Sequence, residues 1–374
     1  MEQALASGSI DKADFLFLFA TVGYNQAALV KAVREASGGA RLSGCSGEGI
    51  IAGDVADESN FAVTVMAIQS DELRFVNGVN TGLKEDSARV GRALADEILP
   101  QLRPDSRALF AFPDALSVNF AQLLSGLEGQ LNLDRMLPVL GGTAGDNWQY
   151  ARTFQYCDDE VVSDGVAWTL VSGQAKLIWS VNHGCVPVGI ELTVTRSKGN
   201  IIYELNGRPA LSVLNELLPV EELKDWRSAV VNLGFGLETS AEMGDFGHYL
   251  LRAMVGGKDD TIGSVSIPTD ISEGSKIWLM RRDFEKVTAG TEEMAQRIRA
   301  QMGGAPAKMV FHFDCAGRGK VFLRDQQKIE LLNTLRSGVG QDAPWFGFYT
   351  FGEIGPVGGS NCIHNYTAVV AVFI

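Results

Sequence analysis

The chain is poor in the residues that most catalytic and metal-binding chemistry draws on. It has four histidines and five cysteines among 374 residues. Cys45, Cys157, Cys185, Cys315 and Cys362 are odd in number, widely spaced and form no CxxC pair. A disulfide framework or zinc site is therefore not expected, and reduced thiols in a cytoplasmic protein are. No CxxCH occurs, which excludes covalent haem attachment, and no GxxxxGK[ST] phosphate loop is present. Basic tracts are missing too, and the formal net charge is −13. That charge argues against a nucleic-acid or anionic-membrane partner. Apolar runs such as residues 15–20 and 366–374 are too short to span a bilayer. The stretch from Met1 to Asp14 carries acids where a signal peptide needs bases. What is left is an ordinary globular composition, 46% hydrophobic and 21% charged, on a chain long enough for two domains.

Glycine, by contrast, is plentiful, and it marks a repeat. Gly47-Glu48 is followed after eleven residues by Asn60-Phe61 and an apolar strand, and Gly352-Glu353 is followed after eleven by Asn365-Tyr366 and another. A looser copy, Gly141-Gly142-Thr143-Ala144-Gly145-Asp146, lies between them. Each turn sits in a strand, helix, strand, turn, strand pattern. The first unit reads as strands 15–19, 40–45 and 60–68 with a helix over 26–36. The second reads as strands 107–112, 137–140 and 165–171 with a helix over 120–131, and the third as strands 308–313, 345–350 and 366–374 with a helix over 324–337. Further strands are expected at 73–79 and 176–181. From about residue 200 the pattern changes: strand 201–205 ends at Asn206-Gly207, a helix spans 211–218, and segments 249–255, 262–267 and 276–280 read as a small antiparallel sheet. The expected fold is α/β, with α+β possible. It has two domains, residues 1–200 and 201–374, of repeated strand–helix–strand units in packed mixed sheets with outer helices.

These residues also carry a family resemblance. Gly44-Cys45-Ser46-Gly47-Glu48, Gly141 to Asp146, and His183-Gly184 with Pro187-Val188-Gly189 and Val194-Thr195 resemble the FIST N-terminal domain. Glu204 to Ala210 resembles the passage between the halves. Glu273-Gly274, Leu279 to Asp283, Cys315-Ala316-Gly317-Arg318-Gly319, Phe348 to Glu353 and Asn365-Tyr366-Thr367 resemble the FIST C-terminal domain. The resemblance implies an intracellular sensory module for a small ligand, an amino acid or similar metabolite, and no enzymatic activity. It also implies a separate signalling partner such as a kinase, cyclase or chemoreceptor output, since no output domain is read here. Some members are haem-binding nitric-oxide sensors, which makes haem b the alternative cofactor.

The ligand-binding candidates are Cys45, Ser46, Glu48, Thr143, Asp146, Cys315, Arg318, Glu353 and Asn365. A guanidinium exposed between glycines, as Arg318 is, suits a carboxylate, and Glu48 or Glu353 could take the ammonium of the same ligand. The competing reading of the carboxylates is that they cap their own turns, and that of Arg318 is a salt bridge to Glu353. Cys45 and Cys315 end strands with no base nearby; His312, three residues before Cys315, falls on the opposite strand face. For haem, His183 and His364 are the candidate axial ligands among His183, His248, His312 and His364. A thiol- or carboxylate-dependent hydrolase using Cys45 or Glu353 is the third alternative, although no triad order or metal motif supports it.

Overall fold

The computed structural model describes residues 1–217, 233–238, 249–254 and 257–374. Three copies of one unit dominate it. In the first, strands Phe15–Ala20 and Arg41–Ser46 pair in parallel around helix Gln26–Ala36, and Val63–Ile68 pairs antiparallel on the far side of Phe15–Ala20. The second repeats this with Ser106–Pro113, helix Phe120–Leu131, Val139–Gly142 and the antiparallel Gly165–Gly173. The third uses Met309–Cys315, helix Asp325–Val339, Trp345–Thr350 and the antiparallel Thr367–Phe373. The three helices expected from 3.6-residue spacing are therefore present, and helix Gln26–Ala36 gains its N-cap from the Asn25 side chain, which accepts the Ala28 N–H.

After its second parallel strand, each unit sends a strand to another unit's sheet. Gly49–Ala52 pairs with Trp345–Thr350 of the third unit, Glu353–Val357 with Val139–Gly142 of the second, and Gln155–Cys157 with Arg41–Ser46 of the first. The exchange is a closed ring of three. Leu73–Thr81 and Leu177–His183 extend the second and third sheets to six strands, and the first has five. Side chains on the inner faces meet in one phenylalanine-rich core. The outer faces are covered by helices, with separate apolar layers for each sheet.

The pairing registers correct the repeat as read from the sequence. Gly347 faces Ile51 and Gly141 faces Ile354, so Ile51 and Ile354 are equivalent, and Glu353 corresponds to Ile50 rather than to Glu48. The two Gly-Glu phrases are thus two residues out of structural phase. Asn60 and Asn365 do coincide, as do Phe61 and Tyr366. Their surroundings differ: Phe61 is 66% exposed, whereas Tyr366 is buried beneath the fourth sheet.

That fourth sheet is built from residues 185–282, between strand Leu177–His183 and helix Phe284–Met302. Its pairings are antiparallel, as expected, and run through Tyr249–Ala253, Leu233–Glu238, Lys276–Arg282, the long Cys185–Lys198, Ile201–Leu205 and Ser264–Ser266. Helix Ala210–Leu217 packs in its separate core. The expected segments at Leu218, Asp225-Trp226, Val255-Gly256 and His248 lie outside the described residues. Among the described residues the short helix Glu2–Gly8 was not anticipated, nor were two longer ones, Leu83–Ile98 and Phe284–Met302. Both carried a signal: Val90, Leu94 and Ile98 repeat at four-residue spacing, and Asp283 caps the second helix by accepting the Lys286 N–H.

At the equivalent point of each unit stands a glycine whose missing side chain admits the neighbouring strand. A Cβ at Gly44 would lie 1.9 Å from the Leu18 carbonyl oxygen, at Gly141 2.2 Å from that of Ala111, and at Gly347 1.7 Å from that of His312. Gly44 and Gly141 also have φ of +156° and +139°. We expect Gly44→Ala, Gly141→Ala and Gly347→Ala each to destabilise by more than about 3 kcal/mol in urea unfolding. Gly359→Ala, in open space at φ +77°, should cost only about 1 kcal/mol.

Candidate functional site

The three turns at the ends of the parallel strand pairs touch one another. The Glu48 amide donates to the Tyr349 carbonyl (2.9 Å), the Gly145 amide to the Ser46 carbonyl (3.0 Å), and the Thr143 amide to the Gly352 carbonyl (2.8 Å). First meets third, second meets first, and second meets third. The junction follows from the strand exchange, because each turn is where a chain leaves its own sheet for the next.

All nine ligand candidates are at most 5% exposed. They fall into two adjoining groups. The first joins turns one and two. The Ser46 hydroxyl donates to the Gly145 carbonyl (2.7 Å) and accepts from the Phe154 amide (3.0 Å), and Glu48 Oε1 accepts the Asp146 N–H at 2.7 Å. Asp146 closes its turn by accepting the amides of Tyr150, Ala151 and Arg152. Cys45 points into the phenylalanine core, and burial pushes its thiol far above the range in which a thiolate forms. Burial likewise raises the Glu48 carboxyl to about 7, against the opposing pull of the Trp148 and Asp146 amides.

The second group gathers Cys315, Arg318, Glu353 and Asn365 where the third turn meets the fourth sheet. Burial raises the Glu353 carboxyl well above its usual range, and its oxygens accept from Thr350 Oγ1 (2.5 Å) and the Thr367 amide (3.2 Å). The Cys315 thiol is also hydrogen-bonded to it and is itself pushed up by burial. Asn365 Oδ1 accepts the Ala253 N–H (2.8 Å), and Tyr366 donates its hydroxyl to the Leu233 carbonyl (2.9 Å). The third turn is thereby pinned to the fourth sheet. Arg318 pairs not with Glu353 but with Asp314, Nε to Oδ1 at 2.7 Å, and its Nη1 is buried without a hydrogen-bond partner.

Asp314, Glu58 and Lys328 were not singled out in the sequence, and His312 only as a base set aside for Cys315 and as one of the four histidines. His312 Nε2 lies 3.5 Å from Asp314 Oδ2, and the Lys328 ammonium is 2.7 Å from Glu58 Oε2. Burial would raise the Asp314 carboxyl, but Arg318 and His312 beside it hold it below its usual range. Arg318, Asp314, His312 and Lys328 lie around a cavity of about 10 Å³ under helix Asp325–Val339, room for about one water. The signal was alternation: His312 and Asp314 interrupt Phe311 and Phe313 on the other strand face. Only the tertiary structure brings Glu58 to Lys328.

His183 and His364, the candidate haem ligands, are both hydrogen-bonded within the chain. His183 Nδ1 accepts the Cys185 N–H (3.1 Å) and the ring is also hydrogen-bonded to the Tyr249 backbone. His364 Nε2 is 2.8 Å from the Gly355 carbonyl, which fixes a proton there. Both nitrogens of His183 are thus engaged, whereas a haem-ligating imidazole needs one lone pair turned to iron with the other nitrogen donating. Burial lowers the two rings to about 4 and about 3, so both are neutral.

Glu48 makes the stability of this junction depend on pH. Its folded value, about 7, lies above the ordinary 4.5, so its contribution is complete below the unfolded value and is lost as pH rises through 7. Wild-type stability is expected to fall between about pH 5 and pH 8. In Glu48→Gln, followed by urea unfolding, that fall should shrink by roughly 2 kcal/mol. An unchanged pH profile in the variant would show that Glu48 is ionised in the folded chain.

No helix among the described residues is long and apolar enough to cross a membrane. The FIST N domain matches residues 14–208 and the FIST C domain residues 210–356. An uncharacterised protein of Mycobacterium tuberculosis is 28% identical over 356 residues, covering 92% of this chain and 87% of that protein. One of Mycobacterium bovis is 29% identical over 344 residues, 89% and 83% of the two chains. A Methanocaldococcus jannaschii protein is 31% identical over 213 residues, 53% of this chain and 40% of that one. A chorismatase crystal structure covers 97% of this chain and 93% of its own at 7% identity, with a TM-score of 0.34, too low to bear on function. Both halves having been matched in order, the chain belongs to the FIST family, whose domains are sensory modules of signal transduction.

Proposed function

We propose that this protein senses a small carboxylate-bearing metabolite, an amino acid in the first instance, at the junction of the third turn and the fourth sheet. The observation that carries the reading is Arg318. A guanidinium 2% exposed, with Nη1 unpartnered and its one carboxylate, Asp314, shared with His312, is incompletely compensated. A buried cation in that state favours an incoming anion, and the planar fork of arginine matches a carboxylate. Arg282 and Arg252 are buried nearby, Arg282 stacking on Phe322 and Tyr366, which adds to the positive field.

Because the junction is closed, a ligand enters only a conformation in which the fourth sheet moves off the third turn. Asn365 and Tyr366 are the hydrogen-bonded ties that such a motion breaks. A ligand that binds the open arrangement more tightly shifts the population toward it, and a separate signalling protein reads the exposed surface. The five thiols, all unpaired, agree with a reducing cytoplasm as the place of action.

The test is a thermal-shift screen of the full chain with the common amino acids and their decarboxylated amines. At a hundredfold excess over Kd a true ligand stabilises by about 2.7 kcal/mol. One or a few amino acids should raise Tm, the matching amines should not, and Arg318→Lys should abolish the shift. Equal shifts in wild type and Arg318→Lys would remove Arg318 from the site.

A further inference from the structure

At the opposite ends of the strands from the turns, a cleft of about 260 Å³ opens at the seam between the second and third sheets. Arg107, Arg135 and Lys176 line it together with Trp179, Met136 and Leu177. We infer that this cleft is a second binding site, for a small organic anion that joins a phosphate or carboxylate head to a planar or apolar body.

The charge balance is the first argument. The chain is acidic, at −13, yet three cations converge here and none of them makes a salt bridge among the described residues. Of the acids in the neighbouring segments, Asp105 is held by Arg74 at 2.7 Å, with Arg107 acting on it at longer range, and Glu72 by Lys308 at 3.2 Å.

The second argument is positioning. Arg107 Nε donates to the Gly173 carbonyl (2.7 Å), Arg135 Nη2 to those of Pro104 and Ser106 (3.1 Å each), and Lys176 Nζ to that of Gln301 (2.9 Å). Backbone carbonyls orient the three side chains without neutralising them, and each keeps further N–H donors for a ligand. Gly173 ends strand Gly165–Gly173 of the second sheet and Lys176 precedes Leu177–His183 of the third, so the connection between sheets itself builds the site.

The third argument is the wall. Trp179 is half-buried and fixed by its Nε1–H on the Pro356 carbonyl (3.0 Å), so its ring is held in place beside the cations. A rigid aromatic wall beside an arginine pair suits a flat group attached to the anion. The volume admits one ring and its acidic head.

Isothermal titration of phenyl phosphate and, separately, benzoate into the full chain tests this, with inorganic phosphate as the headgroup-only probe. At least one aromatic anion should bind saturably at one site and more tightly than inorganic phosphate, and which one binds identifies the head. Lys176→Gln, whose side chain is exposed, and Arg107→Gln should each weaken binding about tenfold, and binding should change the fluorescence of wild type but not of Trp179→Phe. Arg318→Lys should leave this binding unchanged, which separates it from the site at the turns. The inference is overturned if neither aromatic anion binds saturably, if both charge variants bind as wild type does, or if Arg318→Lys alone abolishes binding.

Discussion

Everything in this molecule hangs on six phenylalanines stacked along one axis. Phe17, Phe110 and Phe311, at equivalent points of the three units, lie with ring centroids 4.7–5.7 Å apart. One layer on, Phe19, Phe112 and Phe313 lie 5.2–6.4 Å apart. Edge-to-face and tilted contacts at these separations are the favourable aromatic geometries. Three sheets can bring their inner faces to one point only if each contributes the same alternation. The strands do so: Phe-Leu-Phe-Leu-Phe in the first, Phe-Ala-Phe in the second, Phe-His-Phe in the third.

From that axis the rest follows in order. Close approach of the paired strands demands Gly44, Gly141 and Gly347, and the strand exchange places the turns against each other. The turns then bury carboxylates that water would otherwise ionise. The fourth sheet breaks the symmetry: it covers Tyr366, whereas the counterpart Phe61 stays in solvent. Among the described residues, the third of the three similar turns is the one hydrogen-bonded to the fourth sheet. That asymmetry makes Arg318, rather than Glu48 or Asp146, the centre of the proposed sensing junction. Asp146 is spent on three backbone amides and Glu48 on those of Asp146 and Trp148, roles that capping explains without a ligand.

Much of this was legible before any coordinates. The three strand–helix–strand units, the helix over residues 26–36 and the antiparallel character of the middle segment follow from local periodicity, and local periodicity is what sequence encodes most directly. Glu353 was read as the partner of Glu48 because spacing along the chain was taken for equivalence in space. The pairing register, a tertiary property, puts Ile50 there instead. Arg318 was found through its flanking glycines, but its partner Asp314 was not, since an aspartate inside a phenylalanine strand looks like an interruption rather than a site. Lys328 and Glu58 are 270 residues apart, and no local pattern links them. The basic cleft escaped for the same reason: Arg107, Arg135 and Lys176 are isolated in sequence and form no tract.

The closed exchange of strands bears on how the chain comes off the ribosome. Gly49–Ala52 is made long before its partner strand Trp345–Thr350, which follows it far along the chain. Until then the hairpin it forms with Val55–Asp57 has no sheet to join, and the growing chain carries an open strand edge until residues 345–350 emerge. Pairings so distant in sequence are slow to close, because the loop must be gathered before the contact forms. The two family halves are consequently not two successive folding events. The first half waits for the second to complete its sheets, and a chain truncated before residue 345 would leave that ring unclosed.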